Sequence, residues 1–179
     1  VGVVMSDPTV YRRPPFGGAA IEEANASARR AATLLRAQGC ATVVPLTHQP
    51  IPDDQALARE ETSPPFPIIV GGHEHAPHLE RVGETWIVKT GSEANEAAII
   101  ELRWPPEAPP PGGNDAPSVS VELEPVANHA EDPELRAMVD AWMRPVHELE
   151  TAVLYTIEPG TSLSSIGGRV AQTSFGAFV

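Results

Sequence analysis

The chain has 179 residues, enough for one domain with a sizeable core, and a formal net charge of −12 that disfavours non-specific binding to a nucleic-acid polymer. Its one cysteine, Cys40, excludes an intramolecular disulfide. No run of about 20 apolar residues is present, which excludes a membrane-spanning helix in this chain; a small phosphoester remains compatible with the acidic surface where the local site is cationic.

The chain opens on an apolar strand, Val1-Gly2-Val3-Val4-Met5, and continues through an irregular Pro/Gly stretch over 7–18. A helix is predicted over about 20–38. Ile21, Ala24, Ala28, Ala31, Leu34 and Leu35 recur there at helical spacing, and Gly39 stands at the C′ position. Cys40, between Gly39 and the next strand, reads as a small core residue. Residues 41–48 form a short β-branched strand ending in Thr47-His48, and the turn-forming 49–54 follow it. A short helix over 53–61 then takes Asp53 or Asp54 as N-cap and shows Ala56, Leu57 and Ala58 on its apolar side.

A second apolar strand, Pro67-Ile68-Ile69-Val70, runs straight into Gly71-Gly72-His73-Glu74-His75. The two strands and the helix between them make a β-α-β unit, so two parallel strands end in histidine at the edge where open α/β sheets gather their ligands. Glycine at 71 and 72 lets the backbone turn without a Cβ clash, and His73 and His75 can project from that turn. Neutral imidazole is the commonest protein ligand for zinc and similar ions, and Glu74 can support such a site electrostatically. His48, His73 and His75 are therefore the candidate metal ligands, and Gly71 and Gly72 the glycines that serve them. His78, His129 and His147 lack a partner motif and read as solvated or locally bonded.

Downstream, a hairpin turns at Gly83-Glu84, and its second arm, with Trp86, Ile87 and Val88, is expected in a second layer. Residues 97–102 form the next strand, the Pro-rich 105–117 an exposed loop, and 119–123 an alternating strand. Asp132-Pro133 opens a helix with N-cap and N1 residues in the preferred order; Leu135, Met138, Val139, Trp142 and Val146 form its expected buried stripe, and Pro145 is expected to kink it.

Taken together, Leu46-Thr47-His48, Asp53 with Leu57-Ala58, and Ile68-Ile69-Val70-Gly71-Gly72-His73-Glu74-His75 resemble the distal half of a calcineurin-like metallophosphoesterase, the 5′-nucleotidase family in particular. Residues 82–92 and 97–102 are similar to the hairpin and strand that follow its Gly-His-x-His motif. Residues 168–178 resemble the opening of that family's C-terminal domain, with Gln172 at an acidic position. The resemblance implies an α/β fold, part of a four-layer α-β-β-α sandwich incomplete on its N-terminal side. In that arrangement residues 1–125 are the distal part of the catalytic domain, 126–160 a helical connector and 161–179 the start of the C-terminal domain.

It further implies a centre of two divalent metal ions (Mn, Zn, Fe, Mg or Ca), with His48 and His73 on one ion and His75 on the other. The implied reaction is hydrolysis of a nucleoside 5′-phosphate or related small-molecule phosphoester; cyclic-nucleotide phosphodiesterase, general phosphatase and a non-catalytic degenerate product are the alternatives. The family's remaining ligands come from Asp-x-His, Gly-Asp and Gly-Asn-His motifs. None is present here, and no histidine precedes His48. The chain is therefore expected to be one part of a larger protein, weakly active or inactive alone.

Overall fold

The computed structural model describes residues 1–11, 16–59, 65–105, 116–153, 155–160 and 164. Two compact units follow one another, 1–130 and 131–179. The predicted helix end at 60–61, most of the Pro-rich loop and the motif over 168–178 lie outside the described residues.

The first unit is built on a five-stranded sheet in the order β1-β2-β3-β5-β4, from β1 (Gly2–Val4), β2 (Leu46–His48), β3 (Ile68–Gly71), β4 (Pro77–Val82) and β5 (Thr85–Thr90). β1, β2, β3 and β5 are parallel neighbours, while β4 returns antiparallel on β5 through the turn at Gly83, where φ is +60°. The second hairpin arm thus joins the same sheet as β3. The apolar run of β5 makes this possible, because a strand buried on both faces reads as continuously hydrophobic. β6 (Glu96–Arg103) and β7 (Ser118–Pro125) form a separate antiparallel pair.

Two helices, α1 (Ala24–Ala37) and α2 (Ile51–Arg59), pack on one face of the five-stranded sheet. Ala28 and Ala32 of α1 and Leu57 of α2 meet Ile69, Ile87, Val43 and Phe66 in the core, with Val1, Val3 and Leu35 against its edge. α1 starts later than the periodicity suggests, where Glu23 accepts from the backbone N–H groups of Asn25 and Ala26. Its buried face carries Ala32, whereas Leu34 is 59% exposed. Gly39, at φ +92°, ends the helix, and Cys40 beyond it is exposed, contrary to its reading as a core residue. The strand expected over 41–48 is ordered as a ladder only from Leu46.

α2 also differs from expectation. Pro50 carbonyl accepts from the N–H groups of Asp53 and Asp54, so both acids lie inside the first turn rather than capping it. Asp54 is fully buried instead.

In the second unit, α3 (Pro133–Thr151) is capped by Asp132, which accepts from Glu134 N–H and Leu135 N–H, and runs through Pro145. Its apolar stripe is exposed among the described residues, with Trp142 79% accessible, contrary to its reading as core. No helix among the described residues is long and apolar enough to cross a membrane.

Candidate metal centre

Register decides which side chains share a face. Val3, Thr47 and Gly71 are partners across β1, β2 and β3, and Gly71 is opposite Lys89 of β5. By alternation these residues, with Ile69 and Ile87, face the helices. Val4, His48, Leu46 and Val70 form the other set of partners and face away. His48 therefore leaves the sheet on the side opposite the helices, at the carboxyl end of β2. Its backbone is tied on both sides: Met5 N–H donates to His48 carbonyl at 3.1 Å, and Gly72 N–H to Thr47 carbonyl at 2.9 Å.

His73 follows β3 by two residues and takes φ +87°. This is a left-handed conformation that side chains with a Cβ seldom adopt, and one found preferentially at functional sites. Gly71 and Gly72 do not show positive φ; their role is close approach. A Cβ at Gly72 would lie 3.2 Å from Nδ1 of His48, and one at Gly71 would meet Lys89 Cε at 2.9 Å, Thr47 Oγ1 at 3.0 Å and Asp54 Oδ2 at 3.1 Å. The glycines let the His48 ring lie against the β3 edge, and the left-handed turn at 73 brings the second imidazole to it. The two ring centroids are 5.5 Å apart at an interplanar angle of 86°.

Two imidazoles bound tetrahedrally to one ion at about 2.0–2.1 Å have ring centres roughly 5 Å apart, close to the spacing of the His48 and His73 rings. His75 is exposed, and Ser92 Oγ lies 3.5 Å from its carbonyl. Among the described residues no group of three or more His, Cys, Asp or Glu side chains is arranged to hold a metal ion. Among the described residues two imidazoles thus stand side by side, with a third histidine two residues further on.

Beneath the histidine-bearing loops, on the helix side, lies a buried polar network that the sequence reading missed. Lys89 has no exposed surface, and its ammonium donates to Gln49 carbonyl at 2.7 Å, Gly72 carbonyl at 2.8 Å and Glu74 Oε2 at 2.5 Å. Asp54 Oδ2 is 2.8 Å from the same nitrogen, an ion pair outside hydrogen-bonding geometry. Gln49 Nε2 donates to Asp54 Oδ1 and to Asn25 Oδ1, both at 3.0 Å, and Asn25 Nδ2 donates to Asp53 carbonyl. Glu74 Oε1 accepts from Ile51 N–H at 2.8 Å. Burial pushes the Glu74 carboxyl up, but the bonds from Lys89 and Ile51 outweigh it and hold the group below the usual carboxylate range. Two signals in the sequence point here: Lys89 is two residues from Ile87, hence on its face, and Asp54 is three before Leu57 on α2.

A cleft of about 440 Å³ opens beside His73, with Asp7, Glu23, Gln49 and Asp53 on its wall. Asp7 accepts from Thr9 Oγ1 and Thr9 N–H, which lower its pKa, and Glu23 is committed to the α1 N-terminus. The remaining histidines pair locally: His78 with Glu80 at 3.0 Å, His129 with Glu124 and His147 with Glu150, each at 3.3 Å.

No protein-family profile and no curated protein matches the sequence. Solved structures do. The sulfate thiohydrolase SoxB of Thermus thermophilus, in complex with glycerol, superposes with a TM-score of 0.66 at 25% identity over 83% of this chain. A Staphylococcus aureus protein described as a 5′-nucleotidase, solved with α-ketoglutarate, superposes with a TM-score of 0.59 at 17% identity over 80%. The chain spans 27% and 31% of the lengths of these two proteins.

Proposed function

We propose that this chain, which belongs by fold to the calcineurin-like metallophosphoesterase superfamily alongside 5′-nucleotidase-type hydrolases, is the part of a metal-dependent phosphoester hydrolase that supplies imidazole ligands to a two-metal centre. The observation that carries this reading is the meeting of His48 and His73 at the carboxyl ends of β2 and β3, 5.5 Å between ring centres. His75 would serve the second ion. Bound divalent ions in such a centre lower the pKa of a coordinated water and clamp phosphoryl oxygens during in-line displacement. The chain's own residues orient the imidazoles and leave the β1–β2 part of one sheet face open beside them. The acidic cleft wall makes a cationic centre necessary if an anionic phosphoester is to approach.

The substrate on this reading is a nucleoside 5′-phosphate or a related small phosphoester. The similarity to a sulfate thiohydrolase supports a second reading, hydrolysis of a sulfur ester at the same site. Isothermal titration of the purified chain with Mn²⁺, beside a His73→Ala variant, is the first test, with release of phosphate from AMP followed in parallel. Expected are metal binding that the substitution removes and little or no phosphate release, because the Asp-x-His, Gly-Asp and Gly-Asn-His motifs that would supply the remaining ligands are not in this sequence. Absence of His73-dependent binding in folded protein would overturn the reading. Metal-dependent release of sulfate from a thio-linked sulfate ester, without release of phosphate from AMP, would favour the second substrate class.

A further inference from the structure

We infer that Lys89 is a positioning residue that holds His48 and His73 in register, acting through the backbone of both loops rather than by contact with either ring. The inference rests on the proposed role of the two histidines and deepens it. Its basis is the placement of what the ammonium touches. Gln49 carbonyl belongs to the residue after His48, Gly72 carbonyl to the residue before His73, and Glu74 Oε2 to the residue after it. A single buried cation therefore grips the loop after β2 and the loop after β3 at 2.5–2.8 Å and ties both to Asp54 on α2.

Besides Lys89, the two loops are tied directly by the Gly72 to Thr47 ladder bond and by Ile51 N–H to Glu74 Oε1 at 2.8 Å, and Lys89 is the group that joins both of these ties. His73 sits at φ +87°, a conformation that persists only where its surroundings over-determine it, and both peptide neighbours of His73 are held by Lys89. A neutral side chain could fill the same volume but could not satisfy two carbonyls and two carboxylates at once. Burying an ammonium with two carboxylates is a poor way to gain stability, since desolvation offsets most of the attraction; its distinctive product is a defined geometry. Support of this kind beneath metal ligands typically changes metal affinity by about 10–100-fold when removed.

The test uses the 179-residue chain and two readouts. In metal-free protein, a nuclear Overhauser contact between the His48 and His73 rings is expected, and Lys89→Met should abolish it. In a cobalt(II) titration followed by paramagnetic shifts, the two rings should titrate together in the wild type, and Lys89→Met should weaken the affinity by about tenfold or more and separate the two titrations. Ile87→Val, a core trim on the same strand, controls for stability alone and should leave both readouts unchanged. If Lys89→Met does not fold, Glu74→Gln decides instead: it removes one charged anchor at a half-buried position and should loosen His73 relative to His48. An intact ring contact and unchanged cobalt affinity in a folded variant overturn the inference. A ring contact that depends on Lys89 in protein that binds no cobalt would uphold the positioning role and sink the metal-centre reading on which its purpose rests.

Discussion

The two faces of the five-stranded sheet are made from the same strands and differ in almost everything else. The helix-bearing face is closed: Ile69, Ile87 and Leu57 are fully buried, and the polar residues admitted there, Lys89, Asp54, Thr47 and Gln49, are buried too. The other face is closed around Ile68 and Val88 but open at β1 and β2, where Val4 is 44% and Leu46 55% exposed beside His48. Period-two alternation lets one residue set the support and the next carry the chemistry. In β2, Thr47 points into the network and His48 out of it; after β3, Gly71 admits Lys89 and Gly72 admits the His48 ring.

Gly71→Ala should break the closed face most. Its Cβ would fall within 3.1 Å of three atoms, and the Lys89 side chain, though long, is pinned by four oxygens and cannot swing clear. A loss of about 1–3 kcal/mol in urea unfolding is expected, the usual cost of overpacking. Acid should act on the same face through α1 and more gently. Backbone bonds from Ala26 and Asn25 lower the Glu23 pKa relative to the unfolded chain. Its stabilising contribution is therefore fully present above the ordinary carboxylate range and is lost as pH falls through the depressed folded value. Glu23→Ala should remove that part of the pH dependence, at a cost near 0.5 kcal/mol at neutral pH, the low end for a helix cap. On the open face, Leu46→Ser should change stability by less than about 0.5 kcal/mol, as exposed positions do. A loss of several times that would mean the face is covered in solution, and sedimentation would then show what covers it.

Much of the closed face was legible. Helical periodicity with Gly39 at its end identified α1, and strand composition with the Gly83 turn identified the β4–β5 hairpin. His48 and His73 were readable as neighbours because each ends a strand of one β-α-β unit. Three things escaped. The helix contact passes through Ala32 rather than Leu34, because small residues let α1 approach the sheet and the larger leucine is left outside. Asp53 and Asp54 resembled caps, yet Pro50 starts the helix and frees Asp54 to be buried against Lys89. That pairing joins residues 35 positions apart in chain order: local spacing gives the face of each, Lys89 beside Ile87 and Asp54 beside Leu57, but not which cation meets which acid. The stripe on α3 carries the opposite lesson: Leu135, Met138 and Val139 have core periodicity, and among the described residues nothing buries them.

Counting hydrogens on Lys89 leads further. An ammonium has three N–H groups, and four oxygens stand within 2.8 Å of this one. One acceptor is always left with charge alone, and here it is Asp54 Oδ2. If the Glu74 carboxylate, which is partly exposed, turns outward, the hydrogen it releases has Asp54 Oδ2 within 2.8 Å as its next acceptor. The network is thus redundant by one at the Lys89 nitrogen: loss of the Glu74 contact alone leaves the bonds to Gln49 and Gly72 in place, while freeing the residue after His73 from its anchor.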